Sequence, residues 1–242
     1  MRQIYSGSQV YAGDFFDWLP VFYDPQHDSL APPNYIQGTF YTRYVVGTES
    51  PPANTPVPPN YYFFNSQTPP LSYFQSLGLL YAGHYLGGGQ VMWCPSFLPS
   101  SPLAIENYSV PKFMSTCNAG TDPQSGNTVV RSTYLWNPVV QNPSNDVKYV
   151  STLRAYQKTK DLPGRKLLMI DWLEGGMTWN NLNFAHYPSK GWVVLTTDGS
   201  ARFIYSYSAF TNATKGDFSA NEESEIAFEG YNAVYNDLLA VP

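Results

Sequence analysis

His186 is the residue of this 242-residue chain best placed to move a proton, because Asp171 and Asp198 lie in neighbouring segments that have the pattern of strands. A carboxylate beside an imidazole orients the ring for base catalysis. One arrangement open to the sequence therefore places Asp171 and Asp198 near His186. The more frequent arrangement is a histidine that only hydrogen-bonds a loop, and it is the one we favour.

No serine stands in a frame that would make it a nucleophile. Gly7-Ser8 and Gly199-Ser200 are the nearest approaches, and neither belongs to a Gly-x-Ser-x-Gly turn. We therefore expect no hydrolase constellation around His186 and predict no catalytic residue.

The two cysteines, Cys94 and Cys117, have 22 residues between them. Without a second pair, a zinc site of four Cys/His ligands is not predicted. If the pair is oxidised, as an extracytoplasmic location would permit, the closed loop is worth about 3 kcal/mol in the chain-entropy model. Two buried thiols are the alternative.

Two acidic stretches have oxygen ligands for a cation. Residues 122–127 carry them at alternate positions but lack the spaced aspartates and closing glutamate of an EF-hand. Asp14 and Asp17 end a predicted helix, where they more often only meet solvent. We predict no cofactor and no metal, and a structural calcium ion is the one candidate that these stretches offer.

Composition excludes several classes of protein. Lys and Arg number 13 against 18 Asp and Glu, so the net charge is −5, and only 13% of residues are charged. A charge-poor acidic chain lacks the basic footprint of a nucleic-acid binder. Aromatic residues make up 17% of the chain, which argues against intrinsic disorder. No apolar run approaches the roughly 18–20 residues of a membrane span.

The elements that must position these residues are predicted from periodicity. A single apolar stripe at three- and four-residue spacing predicts a helix over residues 1–16, and its members are Ile4, Ser8, Tyr11 and Phe15. Asp198-Gly199 between two alternating segments predicts a hairpin of residues 192–197 and 201–207 with a type I′ turn. Further helices are predicted over 72–85 and 221–239, and strands over 39–46, 91–94, 132–136, 147–153 and 167–171.

Four segments in order carry a family resemblance. They are residues 1–20, residues 77–80 leading into the Cys94-Pro95-Ser96 stretch, residues 132–138, and His186 through Asp198-Gly199. Together they resemble the prepilin-type processing-associated H-x9-DG proteins, pseudopilin-like relatives of type II secretion and type IV pili. In this chain eleven residues separate His186 from Asp198, and Ser200 stands where the family often has histidine.

The resemblance implies an α+β, pilin-like fold, with an N-terminal helix on an antiparallel sheet and long proline-rich insertions. Residues 1–242 would form a single extracytoplasmic domain, and residues 1–16 would be the remainder of the pilin helix. A leader and an apolar anchor in the inner membrane would precede Met1. The implied role is structural, with prepilin peptidase acting on the precursor and other pilin-like subunits or secretion-system components as partners.

Two alternatives stay open. One is a secreted carbohydrate-binding or glycan-processing domain, which would show a groove lined by Tyr and Trp and a carboxylate pair roughly 5–9 Å apart. The other is a surface adhesin that uses a pilin-type anchor but does not polymerise.

Overall fold

A computed structural model describes residues 1–20, 44–47, 73–74, 76–96, 120–121, 128–136, 158–162, 164–171, 173–174, 183–184, 186, 189–215 and 225–242. Its helices are α1 (Arg2–Asp14), α2 (Leu77–Ala82), α3 (Tyr207–Lys215) and α4 (Glu225–Ala240), with 3-10 turns at Gly89–Met92 and Thr159–Asp161. Its strands are β1 (Tyr44–Gly47), β2 (Tyr73–Phe74), β3 (Gly120–Thr121), β4 (Thr128–Arg131), β5 (Tyr134–Trp136), β6 (Leu167–Asp171), β7 (Leu173–Glu174), β8 (Asn183–Phe184), β9 (Gly191–Thr196) and β10 (Ala201–Tyr205).

The central sheet is antiparallel throughout, in the order β10-β9-β6-β5. All five residues of β6 are buried, which is expected for a strand in the interior of the sheet. A second four-stranded sheet has the order β2-β1-β4-β3, and β7 and β8 form a hairpin. Helices with antiparallel sheets confirm the predicted α+β class.

Strand register assigns residues to the two faces of the central sheet. Val194 pairs with Ile170 on one side and with Arg202 on the other, so these three share a face. The Arg202 guanidinium donates to the carbonyls of Val241 and Pro242, which places the end of the α4 segment at that face. Asp171 follows Ile170 in β6 and therefore points to the opposite face.

Helix α1 contributes its predicted apolar stripe to the core. Ile4, Ser8 and Tyr11 are fully buried, and Ile4 and Tyr11 belong to one contiguous cluster with residues of the central sheet. The buried Ser8 hydroxyl donates to the carbonyl of Tyr5, which satisfies it within the helix. The predicted helix over residues 1–16 is thus confirmed for Arg2–Asp14, with Phe15 half-buried at its C-terminal end.

The strand predicted over residues 91–94 is wrong, since the chain forms a 3-10 turn at Gly89–Met92. The link between β4 and β5 supplies the reason. The Ser132 hydroxyl and the Thr133 N–H both donate to the carbonyl of Met92, and Cys94 donates its N–H to the Thr133 hydroxyl. These contacts satisfy backbone groups that would otherwise need a strand partner.

The helix predicted over residues 72–85 is shorter than expected. Tyr73–Phe74 forms a strand, and Ser76 has a φ of 50°, which excludes it from a right-handed helix and delays the start to Leu77. The helix ends at Ala82, and His84 then has a φ of 61°.

The hairpin prediction is confirmed, but its second strand ends at Tyr205 and not at residue 207. Helix α3 follows at once, because the Ser206 hydroxyl accepts a hydrogen bond from the Ala209 N–H in the manner of an N-cap. The predicted C-terminal helix is observed as Glu225–Ala240. The strand predicted over 147–153, and residues 39–43 of another, lie outside the described residues.

No helix in the described ranges is both long and apolar enough to cross a membrane.

Two glycines of α1 give a matched test of how the helix packs. A Cβ at Gly7 would lie 2.9 Å from the Tyr85 carbonyl oxygen and 3.0 Å from Leu86 Cδ2, whereas a Cβ at Gly13 would meet nothing within 4 Å. We expect Gly13→Ala to stabilise the protein by about 0.5–1 kcal/mol through helix propensity. Gly7→Ala is expected to destabilise it by about 1 kcal/mol or more, because backbone must move. Urea unfolding of both variants checks this, and equal shifts would contradict the close packing at Gly7.

Candidate functional site

Asp171 and His186 are brought together by the β7–β8 hairpin. In that hairpin Leu173 pairs with Phe184 and Glu174 with Asn183. Continuing the same register by two residues on each strand sets Asp171 opposite His186. The two side chains meet there, with 3.0 Å between His186 Nε2 and Asp171 Oδ2. The contact with Asp171 that the sequence leaves open is therefore observed, and the favoured arrangement, in which His186 only hydrogen-bonds a loop, is wrong.

Cys94 approaches the same histidine nitrogen from a third segment of the chain. Its Sγ lies 3.6 Å from His186 Nε2. Cys94 comes two residues after the 3-10 turn, and its N–H donates a hydrogen bond to the Thr133 hydroxyl. The edge of the Phe203 ring packs on the imidazole at 5.2 Å between centroids. Side chains from three separate segments thus converge on one point.

Asp171 is fully buried, whereas 19% of the His186 side chain is exposed. Burial raises the pKa of Asp171, and hydrogen bonds from His186 and the Val193 N–H oppose that shift in part. The hydrogen bond to Asp171 raises the pKa of His186, against a smaller opposing effect of burial. The proton on His186 Nε2 is therefore held toward the Asp171 carboxylate.

The arrangement is not that of a cysteine–histidine–aspartate triad. A triad uses one ring nitrogen for the nucleophile and the other for the carboxylate. Here Asp171 and Cys94 both approach Nε2 of His186. A nitrogen that donates its proton to Asp171 has no lone pair with which to accept one from Cys94. What the three residues do offer is one sulfur, one nitrogen and one oxygen donor, the atoms that bind transition metals.

Asp198 does not join this cluster, so the arrangement that places it near His186 is wrong for this residue. Val193, whose N–H donates to Asp171, lies within β9, whereas Asp198 lies in the turn after the end of the strand. The strand therefore leads away from the cluster toward Asp198. Asp198 Oδ1 instead accepts hydrogen bonds from the Thr196 hydroxyl and the Ser200 N–H. Both hydrogen bonds lie within the turn that contains Asp198.

That turn has three residues, not the two of a type I′ turn. The Gly199 N–H donates to the Thr196 carbonyl at 2.9 Å, and the Thr196 N–H donates to the Ser200 carbonyl at 2.9 Å. Gly199 has a φ of 82°, and Asp198 is not among the residues with positive φ. This is a type I turn followed by a left-handed glycine in a bulge. The predicted positive φ of Gly199 is confirmed, and the predicted turn type is wrong.

Gly199 also touches α1. A Cβ at this position would lie 2.6 Å from Cε1 of Tyr5, and the Tyr5 hydroxyl donates to the Thr197 carbonyl at 3.3 Å. Because Gly199 has no Cβ, there is room beside it for the Tyr5 ring. That ring connects α1 to the hairpin.

The two hydrogen bonds to Asp198 predict a pH effect. They lower its pKa from 3.8 to about 2, so the stabilisation that they give is complete above pH 3.8 and is lost as the pH falls toward 2. Asp198→Asn is expected to cost below about 1 kcal/mol near neutral pH, because the side chain is exposed. The difference in Tm between wild type and variant should shrink between pH 4 and pH 2. A constant difference over that interval would contradict the assignment.

The remaining candidates do not form a site among the described residues. Pro95 is exposed beside Cys94, and His84 is exposed after α2. Asp14 accepts a hydrogen bond from the Tyr85 hydroxyl at 2.8 Å, and Asp17 lies beyond the end of α1. Cys117 and residues 122–127 lie outside the described part. The choice between a disulfide and two thiols, and that between a polar turn and a calcium loop, therefore stay as the sequence leaves them.

An open groove of about 540 Å³ runs beside the outer face of α1. Among the residues that the structure describes, its lining combines α1 with the segment after α2 and contains one aromatic ring, that of Tyr85, and no carboxylate. It therefore lacks the stacked rings and paired acids expected of a glycan-processing groove.

Comparison of the chain with protein-family models, with curated proteins and with solved structures gives no match.

Proposed function

We propose that this chain is the extracytoplasmic domain of a pseudopilin-like protein of a type II secretion or type IV pilus-like system. The observation that carries the proposal is the docking of α1 on the Asp198-Gly199 hairpin through Tyr5. An N-terminal helix seated by one face on an antiparallel sheet is the arrangement that the family resemblance implies. In this proposal the function is structural, and no residue carries a reaction.

The placement of the residues that carry the resemblance supports the proposal. Cys94 and His186 touch although 92 positions separate them. Asp198 holds the turn, and Gly199 admits the ring of Tyr5. Each of these residues has a packing or hydrogen-bonding role, which is what a structural motif requires.

The outer face of α1 is left for partners. Val10 is 60% exposed on this face, and Arg2, Gln3 and Ser6 are exposed with it. We infer that this face meets other pilin-like subunits or secretion-system components. The precursor would be cut by prepilin peptidase, and an apolar segment upstream of Met1 would anchor the protein in the inner membrane. An adhesin that keeps the anchor without polymerising shares all of these features except the subunit contacts.

Site-specific photocrosslinking in the source organism tests the proposal. A photoreactive residue at Val10 of the full-length protein is expected to give adducts with pilin-like proteins or with a second copy. The matched control is Tyr207, which is 65% exposed at the start of α3 and is expected to give far fewer adducts. Mass spectrometry identifies the partners.

The proposal is overturned if the full-length protein fractionates away from the membrane and Val10 gives no such adduct. Adducts of equal yield from Val10 and Tyr207 would likewise remove the role assigned to the outer face of α1.

A further inference from the structure

We propose that Cys94, Asp171 and His186 bind a zinc ion. This inference does not depend on the proposed function, and no local sequence pattern announces it, since the three residues come from segments separated by 77 and 15 positions. The thiolate sulfur, the Nε2 nitrogen and a carboxylate oxygen all lie within 4.8 Å of one another.

Two of the three separations between the donor atoms match those of one tetrahedral ion, and the third, between sulfur and carboxylate oxygen, is within 4.8 Å. With metal–ligand distances of 2.0–2.3 Å, tetrahedral zinc requires about 3.6 Å between sulfur and nitrogen and about 3.4 Å between nitrogen and oxygen. The observed separations are 3.6 Å from Cys94 Sγ to His186 Nε2 and 3.0 Å from that nitrogen to Asp171 Oδ2. A shift of Asp171 Oδ2 by a few tenths of an ångström brings the nitrogen–oxygen separation to the tetrahedral value.

A buried oxygen of Asp171 gives independent support. Oδ1 has no hydrogen-bond partner among the described residues, although the side chain is fully buried. A buried carboxylate oxygen left without a partner is costly. An ion seated between the three donors would lie close to this carboxylate and would compensate its charge.

A metal also resolves the competition for His186 Nε2. Asp171 and Cys94 both approach this nitrogen, and one proton can serve only one of them. When neutral imidazole directs its Nε2 lone pair at a cation, the carboxylate and the thiolate become fellow ligands. Their two negative charges then balance a divalent ion.

The donor set selects the class of metal. Thiolate and imidazole favour zinc and related transition metals, whereas calcium and magnesium take oxygen ligands. Three protein ligands leave a fourth position, and the partial exposure of His186 gives water access to it. The Val193 N–H on Asp171 and the Thr133 hydroxyl on the Cys94 backbone hold two of the ligands in place.

Cobalt titration of the purified full chain tests the site directly, since Co²⁺ occupies zinc sites and a cobalt–thiolate bond absorbs in the near ultraviolet. We expect one equivalent of Co²⁺ to bind per chain and to give the cobalt–thiolate charge-transfer absorption. Added zinc is expected to displace the cobalt and to remove that absorption. Elemental analysis after dialysis against zinc should give one zinc per chain. Zinc should also raise the Tm, because it binds the folded state.

The variants assign the ligands. Cys94→Ser is expected to abolish the charge-transfer absorption, and His186→Gln to weaken binding by about 100-fold or more, beyond the loss of a supporting residue. Cys117→Ser and His84→Asn are the matched controls and are expected to keep both signals. Circular dichroism without metal establishes that each variant is folded.

Two results overturn the proposal, and the first needs no variant. One is a folded wild-type protein that binds neither cobalt nor zinc, as purified and after reduction. The other is a charge-transfer absorption that survives in Cys94→Ser or disappears in Cys117→Ser.

Discussion

Gly199→Val is expected to lower the free energy of unfolding by about 3 kcal/mol or more. Two penalties combine at this position. The φ of 82° costs about 1–2 kcal/mol for any side chain with a Cβ and more for a β-branched one. The new side chain would also overlap the Tyr5 ring, whose Cε1 lies 2.6 Å from the Cβ position, and such overpacking adds about 1–3 kcal/mol. Urea unfolding measures the total.

A double-mutant cycle separates the two penalties. In the Tyr5→Ala background, Gly199→Ala should cost only the backbone strain, so the coupling between the two positions should be about 1 kcal/mol or more. Ser200→His, at the exposed neighbouring position, is expected to change stability by no more than about 0.5 kcal/mol. If Gly199→Val and Ser200→His have equally small effects, the docking of α1 on this turn is refuted.

Ile4→Asp is expected to unfold the domain or to destabilise it by about 4 kcal/mol or more. Ile4 is fully buried in the core, and a carboxylate there would lose both its packing and its hydration. The matched control is Val10→Asp in the same helix. Val10 is 60% exposed, so this variant should change stability by no more than about 0.5 kcal/mol.

Circular dichroism and thermal melts of the two variants measure the asymmetry of α1. Similar Tm values for Ile4→Asp and Val10→Asp would mean that the helix does not bury one face on the core. The proposal for the outer face would fail with it, because that proposal needs a helix with one seated and one available side.

Sequence periodicity was sufficient for the elements whose pattern is local. The stripe of Ile4, Ser8 and Tyr11 predicts the buried face of α1, and the apolar run of β6 predicts a buried strand. Sequence periodicity does not predict the backbone conformation of a segment that is determined by contacts with distant residues. Gly89–Met92 forms a 3-10 turn because Ser132 and Thr133 bind its carbonyl end, and no local pattern encodes those contacts.

Helix α3 shows a different limit. The aromatic residues of the preceding strand continue past its end, so Tyr205 and Tyr207 have the alternation of one strand. The signal for the break is Ser206, whose hydroxyl caps the new helix. The turn type was missed for a similar reason, since Asp-Gly suits both a two-residue turn and a three-residue loop with a left-handed glycine.

The candidate site was predictable only in part. Asp171 ends an apolar run that predicts a strand, and the preference of an imidazole for a carboxylate makes its contact with His186 one of the arrangements open to the sequence. Cys94 contacts them only because the fold brings distant segments together, and its spacing in the sequence does not predict that contact. Asp198 was misassigned because its distance from His186 depends on which way β9 runs from the cluster.

The decisive measurement for the proposed function is the N-terminus of the mature full-length protein, recovered from the membrane fraction of the source organism and mapped by mass spectrometry. We expect residues upstream of Met1 in the mature protein: an apolar segment whose first residue is phenylalanine, left after prepilin peptidase has removed a short basic leader. A mature protein that begins at Met1 and is recovered outside the membrane fraction would contradict the pseudopilin-like function proposed for this chain.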